Sequence, residues 1–363
     1  LKIIYLFVFV KFSKHEVLRV PVLISCFLSR FAPLNRSIRA LFFILLSLSI
    51  LLSSGMAEAN AKHVKHKKSH ATTHAVTRAA PAKSTTRSYT PPYADIVIDA
   101  STGQVLSQTD ADRALYPASL TKLMTLLMTF EALDAKTITL KSSVPMSSHA
   151  TSMPPSKIGL RAGQSMSVEN AIKALVTKSA NDVAVAMGEK LGGTEGRFAQ
   201  MMNLKARALG MSQTHFVNAC GLHNVQQVSS ARDMAKLALY ILRTYPQYYG
   251  YFSLKEFYFN GKIHPNHNHL MSSYRGMDGM KTGYVTQSGF NLVASAKRGN
   301  TRLIGVIFGG KTANSRNAQM AHILDDGFEQ VGSVSPSVKP PVIRANTVSV
   351  ITLPAPTNPP TPL

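Results

Sequence analysis

Residues 116–130 read YPASLTKLMTLLMTF. From Leu120 onward the run is mostly apolar, with the Leu, Met and Thr content of a buried helix. Such a helix has to be enclosed by other elements, and the sequence on either side supplies them. Upstream, ADIVIDASTGQVLSQTD (94–110) predicts two β-strands joined by a tight turn at Ser101-Thr102-Gly103. Downstream, SVENAIKALVTKSANDVAVAMGEKLGG (167–193) predicts two helices around a short break, stopped by Gly192-Gly193. TEGRFAQMMNLKARALG (194–210), with a Thr N-cap and a terminal Gly, and SSARDMAKLALYILRTY (229–245) carry apolar residues at helical spacing. After about residue 252 the texture changes to strands punctuated by glycine: KEFYFNG (255–261), GFNLVASAKRG (289–299) and TRLIGVIFGG (301–310). SRNAQMAHILDDGFEQ (315–330) predicts a closing helix. Strands near both ends and helices between them predict an α/β fold of the α+β type. One antiparallel sheet is flanked by helices, and the middle of the chain forms an all-helical subdomain.

The ends of the 363-residue chain have a different character. Residues 1–92 carry 14 Lys/Arg against 2 Asp/Glu, about half of the net charge of +22. Within them, RSIRA (36–40), LFFILLSLSILLSSG (41–55) and MAEANA (56–61) have the order of an export signal: a basic start, an apolar stretch too short to span a bilayer comfortably, and a small-residue cleavage site. The residues before it contain a second apolar stretch, IIYLFVFV, on which no function is built. Residues 62–92, rich in Lys, His, Thr and Pro, predict a disordered cationic linker suited to electrostatic contact with an anionic cell envelope. The tail, 333–363, is Pro-rich and also predicts disorder. The organisation expected is thus 1–61 extension and signal, 62–92 linker, 93–332 folded domain and 333–363 tail, with the protein exported to the periplasm or the outer face of the cytoplasmic membrane. No nucleic-acid motif and no Trp for stacking are present, so the basic balance does not point to nucleic acid. Of the two cysteines, Cys26 lies in the extension; once that is removed Cys220 has no partner and reads as a small buried apolar residue.

Lys122 sits inside the apolar run, three residues after Ser119. An ammonium loses its water on burial, so the position calls for a reason. A serine hydroxyl becomes a good nucleophile when a base takes its proton, and a lysine kept neutral by burial and nearby positive charge can be that base. At i and i+3 the two share a helix face, and a serine in the first turn lies at the positive end of the helix dipole. The S-x-x-K pattern occurs once in the chain. Ser179-Ala180-Asn181 falls at the break between two predicted helices, where a second serine can relay protons and an amide can hold a peptide carbonyl; Ser315-Arg316-Asn317 has the same spacing. Lys281-Thr282-Gly283 opens the strand-rich region, offering a cation, a hydroxyl for a carboxylate, and a glycine against which a substrate can lie as an added strand.

Together, in this order and with about 60 and 100 residues between them, the three motifs resemble those of the penicillin-binding proteins and class A β-lactamases. ASLTKLMT, KSANDVAVA, SSARDMAKLA and GMDGMKTGYVTQSGFNLVASAKR extend a likeness to the low-molecular-mass D-alanyl-D-alanine carboxypeptidases over residues 93–332. The resemblance implies a serine β-lactamase/DD-peptidase-like fold and a serine-type carboxypeptidase acting on peptidoglycan stem peptides, without a metal or other cofactor. It implies Ser119 as nucleophile, Lys122 as base and Ser179 as proton relay. Asn181 would hold the substrate backbone. Lys281 would supply positive potential, and Thr282 and Arg316 would bind the terminal carboxylate. Gly283 would lie along the substrate, and the N–H groups of Ser119 and Tyr284 would form an oxyanion hole. β-Lactam antibiotics would acylate Ser119.

Tyr284-Val285 departs from the family pattern, which usually has Thr second after K-T-G. The tail from Ser333 is too short for the β-rich domain and anchor helix these enzymes often carry, which makes an endopeptidase cutting cross-links the close alternative. A class A β-lactamase would need a glutamate in an E-x-x-L-N pattern. Glu256 to Asn260 has only the spacing, with Phe259 in place of Leu. HPNHNH (264–269) reads as a surface loop shaping the cleft rather than a zinc site, since it holds no Cys, Asp or Glu. Met124 and Met128 read as core.

Overall fold

A computed structural model describes residues 6–13, 16–22 and 90–333. The expected export segment, the basic stretch as far as residue 89 and the tail after Ser333 lie outside the described residues. Two units divide the chain, Leu1–Ser84 and Thr85–Leu363. In the first, β1 (Leu6–Ser13) pairs antiparallel with β2 (Glu16–Val22), Leu6 opposite Val22.

The second unit is built on a five-stranded antiparallel sheet. Its strands are β3 (Ala94–Asp99), β4 (Val105–Thr109), β9 (Met277–Val285), β10 (Gly289–Arg298) and β11 (Thr301–Gly310), in the order β4-β3-β11-β10-β9. The turn predicted at Ser101–Gly103 is present. The Asp99 carboxylate accepts hydrogen bonds from the backbone N–H groups of Ser101 and Thr102. Gly103 takes φ +83°, a left-handed conformation that glycine adopts without a Cβ clash.

Both faces of the sheet are covered, which is why its strands read as near-continuous apolar runs. Ile96, Ile98, Val293, Ile304, Val306 and Phe308 point into the larger core, shared with the helical body. Val97, Leu292, Ala294, Leu303 and Ile307 point the other way, onto Met320 and Leu324 of the closing helix Ala313–Ser333. Gly305 lets that helix come close: a Cβ there would lie 2.6 Å from the Met320 sulfur.

The helical body begins with a 3-10 turn, Ala118–Thr121, that runs directly into α1 (Lys122–Asp134), in which every residue from Lys122 to Phe130 is buried. It continues through α2 (Ser148–Ser152), α3 (Val168–Val176), α4 (Asn181–Gly192), α5 (Glu195–Ala208) and α6 (Ala231–Thr244). Short helices α7 (Pro246–Tyr249) and α8 (Leu270–Ser273) lead back to the sheet, and Ala313–Ser333 is α9. Side-chain caps fix the starts: Ser167, Thr194 and Ser230 accept from the N–H groups of Asn170, Arg197 and Asp233. Two antiparallel strand pairs complete the body, β5 (Ser143–Pro145) with β6 (Ser165–Ser167) and the hairpin of β7 (Glu256–Phe259) with β8 (Lys262–Pro265). Met124 and Met128 are core, as expected, and Cys220 is a buried free thiol.

Candidate active site

Three pieces of chain meet at one cleft of about 470 Å³: the turn before α1, the break before α4, and β9. Ser119, Ser179, Asn181, Thr282, Gly283, Tyr284 and Arg316 all line it. Lys122 and Lys281 lie behind the wall, 0% and 1% exposed.

Ser119 sits in the 3-10 turn rather than in the first turn of the α-helix itself, and Ala118 before it has φ +49°. Two neighbours hold this turn. Asn291 of β10 donates from Nδ2 to the carbonyls of Tyr116 and Pro117, at 3.0 and 3.4 Å. Gly283 of β9 runs so close that a Cβ would stand 3.0 Å from the Pro117 carbonyl oxygen and 3.2 Å from the Ser119 nitrogen. The glycine of K-T-G is therefore also needed for β9 and the Ser119 turn to touch.

The Lys122 Nζ lies 3.0 Å from Ser119 Oγ, 2.8 Å from Asn181 Oδ1 and 2.5 Å from the Cys220 carbonyl oxygen. Three contacts suit either protonation state. An ammonium donates to all three. A neutral amine donates its two hydrogens to Asn181 and Cys220 and turns its lone pair to the Ser119 hydroxyl, which then donates to it. Burial pulls the Lys122 pKa down to about 8, opposed by Cys220 and by the buried Asp182 carboxylate. That carboxylate is held by the N–H groups of Ile158, Gly159 and Val183.

Lys281 is held well below the usual lysine range by burial, then by Lys122 and Arg316. Its Nζ donates to the Thr282 carbonyl at 2.9 Å. Lys281 is thus not a simple fixed charge: it and Lys122 are two buried amines whose repulsion disfavours both being charged at once. Arg316, on α9, donates to the Asn291 carbonyl at 2.7 Å; burial lowers its pKa only to about 10, so it stays cationic at neutral pH.

Ser179 occupies the break between α3 and α4 with φ +57°, a strained conformation for a residue with a side chain. Its Oγ is buried and has no hydrogen-bond partner among the described residues. Asn181 begins α4. Its Oδ1 accepts from Lys122 and its Nδ2 donates to the Pro154 carbonyl at 2.9 Å, so the side chain positions the lysine and keeps one N–H for the cleft.

No motif marks the loop that supplies the Cys220 carbonyl as part of the site. Asn218 Oδ1 accepts from the N–H of Cys220 and of Gly221, at 3.3 and 2.7 Å. Gly221 has φ +89°, and a Cβ on it would stand 1.9 Å from the Ala118 carbonyl oxygen. The Asn-x-x-Gly pattern signals a turn there, though not its purpose. Asn291 was equally hidden inside an apolar strand.

The HPNHNH segment is more built than a plain surface loop. His264, Asn266 and Asn268 are buried. Asn266 Nδ2 donates to the Leu254 carbonyl and Asn268 Nδ2 to the Gly279 carbonyl of β9, at 2.8 and 3.2 Å. His267 and His269, between them, line the cleft. Burial, then Lys281 and Lys178, push the His267 pKa down to about 4. No cluster of metal-binding side chains occurs among the described residues. Glu256 is exposed on β7 and does not line the cleft.

A family profile described as D-alanyl-D-alanine carboxypeptidase matches residues 81–312. The D-alanyl-D-alanine carboxypeptidase DacF of Bacillus subtilis (strain 168) is 40% identical over 244 residues, 65% of this chain and 61% of that protein. The chain accordingly spans less than two thirds of that relative's length. Penicillin-binding protein 5 of Haemophilus influenzae superposes with a TM-score of 0.63 at 35% identity, covering 65% of this chain and 70% of that one. Penicillin-binding protein D2 of Listeria monocytogenes, solved in a cefotaxime-bound form, gives 0.60 at 30% identity, covering 65% and 96%.

Proposed function

From the premise that the chain belongs to the D-alanyl-D-alanine carboxypeptidase family, we propose that it is a serine-type carboxypeptidase that removes the terminal D-alanine of peptidoglycan stem peptides. The observation that carries this reading is the buried Lys122 amine at 3.0 Å from Ser119 Oγ, with acceptors for both of its hydrogens.

Neutral Lys122 takes the Ser119 proton as Oγ attacks the carbonyl between the two D-alanines. Arg316, cationic at neutral pH, supplies positive potential around the substrate carboxylate, and Lys281 beside it adds to that potential whenever it is protonated. The N–H groups of Ser119 and Tyr284 receive the oxyanion. Thr282 and Arg316 bind the carboxylate, and Gly283 lies along the peptide. Ser179, its hydroxyl unengaged, delivers the proton to the leaving amine, and Asn181 offers its remaining N–H to the substrate backbone. Free D-alanine departs, and water hydrolyses the ester on Ser119 with Lys122 again as base. No step calls on a metal. β-Lactams present a strained amide to the same hydroxyl and acylate it.

Peptidoglycan lies outside the cytoplasmic membrane, which agrees with the export signal expected at 36–61. Among the described residues no helix is long and apolar enough to cross a membrane. In this reading residues 93–332 form the catalytic domain, and 62–92 ride on the anionic envelope.

Incubation with a pentapeptide ending in D-Ala-D-Ala and with a cross-linked stem dimer, followed by mass analysis, tests the assignment. Loss of one alanine from the pentapeptide supports it. Cleavage of the dimer alone would replace it with the endopeptidase reading, and rapid turnover of penicillin with neither peptide cut would replace it with β-lactamase.

A further inference from the structure

Large apolar side chains are exposed at four places among the described residues: Val225 at 73%, Tyr258 at 69%, Ile263 at 60% and Tyr284 at 54%. They are not scattered. Tyr284 is in the cleft wall, and Val225 follows the cleft-lining Leu222 by three residues. Tyr258 and Ile263 face each other across the β7–β8 hairpin. That hairpin continues straight into the His267 wall, and no more than roughly 14 Å of extended chain separates Ile263 from His267. The Tyr258–Ile263 pair is thus exposed apolar surface on an element that leads into the cleft wall, where it can serve as a contact surface.

The hairpin is rigid enough to serve as one. Its inner side is anchored by Phe257, stacked 5.5 Å from Phe259 and packed near His264. Its turn, Asn260-Gly261, has positive φ at both residues, the geometry of a tight two-residue hairpin. The tip is polar, and the apolar pair lies on the flat side, with exposed Glu256 on the same face. A flat aromatic and aliphatic pair bordered by polar groups, on an element that leads into the cleft where the stem peptide enters, matches the C–H face of a sugar ring of the glycan that carries that peptide.

We propose that the β7–β8 hairpin docks the glycan to which the stem peptide is attached, with Tyr258 and Ile263 against the sugar rings while the peptide enters the cleft. This rests on the peptidoglycan reading above and makes the polymer, rather than the free peptide, the preferred substrate.

The test compares full-length protein with a Tyr258→Ser/Ile263→Ser double variant and with Tyr258→Phe. Each is assayed on a soluble D-Ala-D-Ala pentapeptide and on purified peptidoglycan sacculi, with fluorescent penicillin labelling as a check on folding. The double variant is expected to lose about five- to tenfold in kcat/KM on sacculi, carried by KM, with peptide hydrolysis and labelling unchanged and Tyr258→Phe near wild type. Equal activity on sacculi, or an equal loss on both substrates, would overturn the proposal. So would a dimer that the double variant dissociates, or binding to phosphatidylglycerol vesicles that it abolishes, since either gives the patch another occupant. If wild-type protein hydrolyses neither substrate, the carboxypeptidase reading is what fails. Co-sedimentation with sacculi, which needs no turnover, then decides the docking claim: binding that the double variant leaves intact overturns it, and binding that it weakens sustains it.

Discussion

At the scale of single residues, the proposed reaction depends on one hydroxyl and one amine. Ser119→Ala should abolish labelling by fluorescent penicillin. Lys122→Ala should slow acylation by about 10²–10⁴-fold while leaving the nucleophile in place. Lys122→Arg should not rescue it, because a guanidinium does not give up its proton. In the proposed mechanism Lys122 works only when neutral, so acylation measured against pH should rise as Lys122 loses its proton, about tenfold per unit, and level off above about 8. A flat profile between pH 6 and 9 would show that some other group takes the proton. The side chains of this site were legible in the sequence because S-x-x-K, S-x-N and K-T-G are side-chain patterns. The Cys220 carbonyl was not, because every residue has one and only the fold decides which is aimed at an amine. Lys281 was legible as a cation, but its competition with Lys122 follows from a shared burial that no spacing reveals.

At the scale of elements, the site is a problem of close approach. Gly283→Ala should push β9 away from the Ser119 turn by a few tenths of an ångström, since the new Cβ would meet the Pro117 oxygen at 3.0 Å. The expected result is folded protein with penicillin acylation slowed by up to about tenfold, since a misplacement of about 1 Å costs roughly 10²-fold. Gly221→Ala is more severe: left-handed backbone and a contact of 1.9 Å combine, and loss of soluble protein or of the cooperative thermal transition is expected. The long elements could be read from sequence because their signals are strong, with β3, β10 and β11 as apolar runs and α5 and α6 as capped periodic helices. Short ones could not. The three-residue strands β5 and β6, and β8 with its sequence KIHP, have neither length nor alternation enough to stand out.

At the scale of the whole catalytic unit, the sheet is the wall between two cores, and α9 seals one of them while carrying Arg316 into the cleft. Met320→Ala removes a fully buried side chain from beneath that helix and should cost about 2–5 kcal/mol, read as a lower urea midpoint. The sheet order has a consequence in time. Strand β11, among the last parts of the domain to be synthesised, fits between β3, the first, and β10. Its neighbour β10 and the edge strand β9 beyond it are late too, and β9 packs against the Ser119 turn. A growing chain that has delivered Ser119 and Lys122 therefore remains inert for nearly two hundred further residues. Chemical competence waits for the last strand, which joins the early β3 to the late β10–β9 pair lying against the Ser119 turn.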